Sequence, residues 1–139
     1  LGSMHCTKFA IASLIERKGV IIIIESLAGV APLLGRTGYC ASKHAVDAIN
    51  QGMRLDLNEY GIRVGAVNPG LVETEFSRVR FKGDVDRAET VYKGFQPLRP
   101  EDIAEIIYFV VTRPYHVNIA DLVVMPTAQA SSTIVKKEL

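Results

Sequence analysis

Residues Val20 to Ile24 read VIIII, five β-branched residues with no polar residue between them. A run of this kind cannot show one face to water and the other to a core. It fits a strand covered on both faces, as parallel strands are in α/β domains. Glycine precedes it and Glu25 and Ser26 stop it, so the apolar stretch Gly19 to Ile24 is far short of the ~20 residues that cross a bilayer. A second run, Ile62 to Val67 within IRVGAVNPG, has the same character and is expected to break at Pro69, because proline supplies no ladder donor. A third strand is expected in ADLVVMP.

Helix-like sequence separates these runs. From Ser3 to Arg17, Cys6, Phe9, Ala10, Ser13 and Leu14 recur at spacings that make one apolar helix face. A long helix is expected from Tyr39 to Tyr60, with Ala45, Val46, Ala48, Ile49, Met53 and Leu57 on its apolar side and Gly61 as its C-terminal stop. Leu71 to Leu98 is polar and mixed, with one helix expected from Asp86 to Gly94. RPEDIAEIIYFVVTRP opens with Pro100 in a helix first turn, carries Glu101 and Asp102 where the helix dipole favours acids, and closes before Pro114. Helix and strand alternate three times, the order of right-handed crossovers and a parallel sheet, so the fold class is α/β.

The 139 residues are about one ordinary domain. Sixteen basic and fifteen acidic residues leave no basic stripe interleaved with aromatics, which argues against a nucleic-acid surface. Without a membrane span or a secretory leader in these residues, the expected setting is cytoplasmic, with no membrane partner. Cys6 and Cys40 have no metal-ligand spacing and are expected to be reduced thiols, and the three histidines are too scattered to form a local metal pair. No metal is expected.

The chemistry lies in ESLAGVAPLLGRTGYCASKHAV, Glu25 to Val46. Ser26 stands at the carboxyl end of the first strand. Tyr39 and Lys43 are four apart at the start of the long helix, so their side chains share a face. Asn68, Pro69 and Gly70 end the second strand, and in an open α/β sheet ligands bind at the carboxyl ends of strands. An ammonium beside a phenol favours the ionised phenol, and a serine hydroxyl can hold the oxygen with which that phenol exchanges a proton. This suits interconversion of a carbonyl and an alcohol. A serine hydrolase using Ser26 and Lys43 fits poorly, because no Gly-x-Ser-x-Gly elbow surrounds the serine.

These residues resemble the short-chain dehydrogenase/reductase family: YCASK from Tyr39 to Lys43, Ser26 thirteen residues upstream, and NPGLVET from Asn68 to Thr74. The resemblance covers residues 1–126, leaving 127–139 as a C-terminal extension or tail. It implies the C-terminal portion of a doubly wound Rossmann-type parallel sheet, three strands with flanking helices. It also implies Ser26, Tyr39 and Lys43 as catalytic residues, with Tyr39, Lys43, Asn68, Pro69, Gly70, Val72 and Thr74 at a nicotinamide cofactor. NPGLVETEF, VRFKGD and RPYHVNIADLVVMPTAQ look like the bacterial 3-hydroxy acid, or serine, dehydrogenase branch, so NADP is expected more than NAD. SLAGVAPLLGRTGYCASKHA looks more like an animal-type branch; a recombined or engineered sequence and a divergent natural one both account for the mixture.

The departures are large. The family's Thr-Gly-x-x-x-Gly-x-Gly turn and Asn-Asn-Ala-Gly stretch have no match in these residues, and about the first hundred residues of the usual domain are expected to be missing. Glu25 stands where the family has small residues. The expected function is an oxidoreductase acting on a small alcohol or 3-hydroxy acid, complete only with an N-terminal half; the alternative is a non-catalytic fragment or engineered assembly module. A homo-oligomer, dimer or tetramer, or pairing with an N-terminal half, is expected through the unprotected edge at GVIIII and the two helices beside it. Arg78, Arg80 and Lys82 are candidates for a substrate carboxylate.

Overall fold

The computed structural model describes residues 2–75, 79 and 90–138. Helix α1 (Gly2–Arg17) leads into strand β1 (Val20–Ile24), helix α2 (Thr37–Asp56), strand β2 (Arg63–Pro69), helix α3 (Pro100–Val111) and strand β3 (Asp121–Val124). The strands form one parallel sheet in the order β1-β2-β3. Val20 pairs with Arg63 through to Ile24 with Val67, and Ala66 with Asp121 through to Pro69 with Val124. The central strand is the most deeply buried, from Val64 through Pro69.

The apolar core on one face of the sheet joins Leu57, Ile62 and Val64 to Ile11 and Leu14 of α1, Ile21 of β1 and Met53 of α2. Arg63 neighbours Val64 in the strand and so points to the other face. There its guanidinium donates to the carbonyls of Val111, Arg113 and Val117 at 3.1 to 3.3 Å. This ties the end of α3 to the sheet and satisfies carbonyls that a helix C-terminus leaves open. At the other end of α3, Pro100 takes the first turn and the Arg99 N–H donates to Asp102 Oδ2 at 2.7 Å.

Three details differ from the sequence reading. Strand β2 ends at Pro69 but runs two residues past the expected Val67. Glu25 N donates to the Val67 carbonyl and Gly70 N to the Val124 carbonyl, so Val67 and Pro69 face β1 while Asn68 and Gly70 face β3. In a parallel ladder the next donor toward β1 would be the N–H of residue 69; proline has none, and the Glu25 carbonyl it would have met accepts Lys43 Nζ instead. On α1 the inward residues are Ser3, Thr7, Ile11 and Leu14, whereas Cys6, Phe9, Ala10 and Ser13 are exposed, Phe9 at 87 %. Helix α2 begins earlier, at Thr37, and stops at Asp56, then closes through a 3-10 turn, Asn58–Tyr60, onto Gly61 at φ +69°. The expected helix from Asp86 to Gly94 falls mostly outside the described residues. Among the described residues no helix is long and apolar enough to cross a membrane, and no group of three His, Cys, Asp or Glu could hold a metal ion.

Candidate active site

Where β1 ends, Glu25 turns inward and Ser26 caps a 3-10 turn over Leu27–Gly29, its Oγ accepting the Ala28 N–H at 3.1 Å. This turn packs on the start of α2. Gly29 makes the packing possible: a Cβ there would stand 3.1 Å from the Lys43 carbonyl oxygen. Farther along the loop, the Leu33 N–H donates to the buried Cys40 Sγ at 3.3 Å. The connection between β1 and α2 is thus fixed at two points on the helix that carries Tyr39 and Lys43.

Lys43 Nζ donates to the main-chain oxygen of Glu25 at 3.1 Å. That bond brings the lysine of α2 to the residue preceding Ser26. Tyr39, half-buried, lies one turn earlier on the same helix. Ser26, Tyr39 and Lys43 therefore gather at the carboxyl end of β1. His44 takes no part; its Nδ1 is 2.8 Å from the Cys40 carbonyl.

The NPGLVET segment divides. Asn68 is 1 % exposed, and its Nδ2 donates to Asp121 Oδ1 at 2.5 Å, so its side chain spans from β2 to β3 inside the molecule. Pro69 and Gly70 follow, and a Cβ on Gly70 would collide with Gln129 Oε1. Gln129 Oε1 also accepts the Leu71 N–H at 2.9 Å. Val72 pairs with Leu98, and its carbonyl accepts the Tyr92 hydroxyl at 2.9 Å. Thr74 is exposed at the far end of the segment. Residues 127–138 fold back on the sheet end: Glu138 N donates to the Gly94 carbonyl and Lys137 Nζ to Thr90 and Val91. Arg78, Arg80 and Lys82 lie outside the described residues.

Gly29, Cys40, Asn50 and Gln129 shape this region without a sequence signal. Gln129 stands in what reads as a tail, and Asn50 in a stretch that reads as an apolar helix face. Glu25 does carry a signal, a carboxylate where a small residue is usual. Burial, then Asp47 and Asp121, push its carboxyl up to about 7, against the weaker pull of Lys43 and Arg54.

The family of short chain dehydrogenases matches residues 1–84. The chain belongs to that family. It is 41 % identical over 139 residues to the NADP-dependent 3-hydroxy acid dehydrogenase of Schizosaccharomyces pombe, covering 99 % of this chain and 54 % of that protein. With the serine 3-dehydrogenase of Rhizobium radiobacter it shares 38 % identity over 129 residues, covering 93 % of this chain and 52 % of that protein. A solved structure of serine dehydrogenase, closed and complexed with NADP+, superposes with a TM-score of 0.90 at 39 % identity, covering 99 % of this chain and 56 % of that one. The chain spans about half the length of the curated relatives it matches.

Proposed function

We propose that this chain carries the proton-handling half of an NADP-linked dehydrogenase that interconverts a small 3-hydroxy acid, such as a β-hydroxy amino acid, and its carbonyl form. The observation that carries the reading is the bond from Lys43 Nζ to the Glu25 carbonyl, which sets an ammonium beside Ser26 and one turn from Tyr39. The names of the relatives supply the substrate class and NADP.

The residues fit one end of such a cofactor. An ammonium has three donor hydrogens, and the one hydrogen bond described for Lys43 goes to Glu25 O, so donors remain for a ribose hydroxyl. Lys43 and Tyr39 would hold the nicotinamide ribose, with Pro69, Gly70, Val72 and Thr74 along the nicotinamide; Asn68, turned inward, would support that segment from beneath. When bound, the nicotinamide supplies or accepts the hydride.

The chain's own residues handle the oxygen and its proton. Ser26 Oγ accepts from Ala28 N, which leaves its hydroxyl hydrogen to donate to the substrate oxygen. The Tyr39 hydroxyl gives its proton to that oxygen during reduction and takes it back during oxidation. Lys43 stabilises the negative charge that appears on the phenol oxygen as the proton leaves.

The test is an absorbance assay for reduced nicotinamide with NADP and L-serine or 3-hydroxybutyrate, run on this chain and on a version extended N-terminally to the length of its relatives. Turnover in the extended version, lost at least a hundredfold in Tyr39→Phe, is expected. No turnover in the extended version overturns the reading in favour of a non-catalytic assembly module, and full turnover in Tyr39→Phe overturns the proton-transfer role of Tyr39.

A further inference from the structure

Beneath Lys43 lies a buried set of polar atoms that the proposed reaction does not use. Glu25 is 4 % exposed and neither carboxyl oxygen has a hydrogen-bond partner. Asn50, fully buried, has both side-chain atoms unpartnered, and Asn68 has Oδ1 unpartnered. These atoms belong to one seam. The bond from Glu25 N to the Val67 carbonyl extends the β1–β2 register by one residue and places Glu25 beside Asn68 on the same sheet face. On α2, Lys43, Asp47, Asn50 and Arg54 recur at the spacing of one helical stripe, and Lys43, Asp47 and Arg54 all act electrostatically on Glu25.

The orientation of one amide decides what the seam needs. Asn68 bonds Asp121, and a carboxylate only accepts, so the Asn68 nitrogen must face β3. Its oxygen is left on the opposite side, toward β1. Glu25 Oε1 and Oε2, Asn50 Oδ1 and Asn68 Oδ1 are then all unpartnered acceptors, against one unpartnered donor group on this sheet face, Asn50 Nδ2. An ionised Glu25 would add charge to a cluster of oxygens already short of hydrogens. A protonated one turns an acceptor into a donor.

We propose that Glu25 is a positioning residue for Lys43, a carboxylic acid kept neutral by donating its proton to an amide oxygen of Asn68 or Asn50. Its neutrality leaves the Lys43 ammonium bonded to the Glu25 main-chain oxygen on the Ser26 side. When the proton is lost to solvent, the new carboxylate competes for the ammonium and draws it down into the seam, away from Tyr39. The charged groups facing Glu25 are Lys43, Asp47 and Arg54 from α2 and Asp121 from β3; β2 contributes the uncharged Asn68. Asp47 and Asp121 oppose ionisation together with burial, and the carboxyl titrates at about 7, within reach of a change in working pH.

This inference rests on the reading of Lys43 as part of an acid–base site, and two measurements separate them. Infrared spectra of the extended protein should show a protonated-carboxyl C=O band below about 7 that fades above it and is absent in Glu25→Gln. In the same protein, kcat should fall about tenfold as pH rises through that value while KM for the hydroxy acid stays nearly constant. Glu25→Gln, of the same shape and permanently uncharged, should abolish that fall. The proposal is overturned by absence of the band, by a Glu25→Gln variant that keeps the same pH-linked fall, or by Mg2+ or K+ raising Tm in the wild type and not in Glu25→Gln, which would assign the four oxygens to a cation. If the protein has no hydroxy-acid turnover, the functional reading fails and the infrared band alone decides the protonation of Glu25.

Discussion

At the scale of single residues, the candidate site depends on side chains that are small or hidden. Gly29 is the clearest case, since an added methyl would press on the Lys43 carbonyl oxygen at 3.1 Å. The turn would lift from α2 and carry Ser26 with it. On the proposed function, Gly29→Ala is expected to lower kcat/KM of the extended protein by about 10- to 100-fold, because small displacements of reacting groups have costs of that size, with a loss of about 1–3 kcal/mol in urea denaturation. Glu25 also makes stability depend on pH. Its folded value, about 7, lies above the ordinary 4.5, so the folded protein holds the proton more tightly than the unfolded chain. The contribution is fully present below 4.5 and is lost as pH climbs through about 7. Between those limits wild type should lose on the order of 3 kcal/mol relative to Glu25→Gln, measured by urea denaturation across the same pH range. A wild type whose pH dependence matches that of Glu25→Gln would show that Glu25 is ionised in the folded state.

At the scale of elements, most of the architecture was legible because non-alternating β-branched runs leave few alternatives to parallel strands. What remained hidden has a physical reason in each case. Strand β2 does end at Pro69, but the sequence does not show that the acceptor left open there, the Glu25 carbonyl, is taken by Lys43. Apolar letters on α1 mark Cys6, Phe9 and Ala10, yet the helix turns Thr7, Ile11 and Leu14 toward the sheet, since periodicity identifies candidate faces and packing chooses among them. On α2 a search for apolar residues passes over Lys43, Asp47, Asn50 and Arg54, the stripe that meets Glu25. Ser26, Tyr39 and Lys43 were legible because their spacing coincides with a strand end and a helix start; the inward turn of Asn68 was not, because its partner Asp121 is 53 residues away. Arg63 likewise carries no signal of its role in the sequence, yet it binds β2 to the end of α3 and the chain after it through three carbonyls. Arg63→Met keeps the aliphatic stem and removes those bonds, and it should cost about 1.5–3 kcal/mol in urea denaturation. A change below about 0.5 kcal/mol would mean that water satisfies the carbonyls equally well.

At the scale of the whole molecule, the described residues leave much apolar surface uncovered. Phe9 on α1, Leu55 on α2 and Tyr108 and Phe109 on α3 are exposed, as is Ile24 on β1. Strand β1 is also an edge of the described sheet, paired with β2 on one side only. An edge of isoleucines with unpaired main-chain groups is a template for another strand, whereas an exposed aromatic on a helix recruits another helix face. The two routes make different assemblies and respond to different substitutions. At micromolar concentration the 15.2 kDa chain is expected to elute from a size-exclusion column as a larger species. Ile24→Lys puts a charge on the strand edge, where natural sheets use lysine to block pairing, and should return the chain toward monomer if β1 carries the contact. Phe9→Asp should do so instead if α1 carries it. Extension to the length of the relatives discriminates further: a preceding strand that pairs with β1 would protect the extended protein from edge association, and Ile24→Lys would then change its oligomeric state little while Phe9→Asp still could. A wild-type chain that stays monomeric at that concentration would show that neither surface is sticky enough to drive assembly.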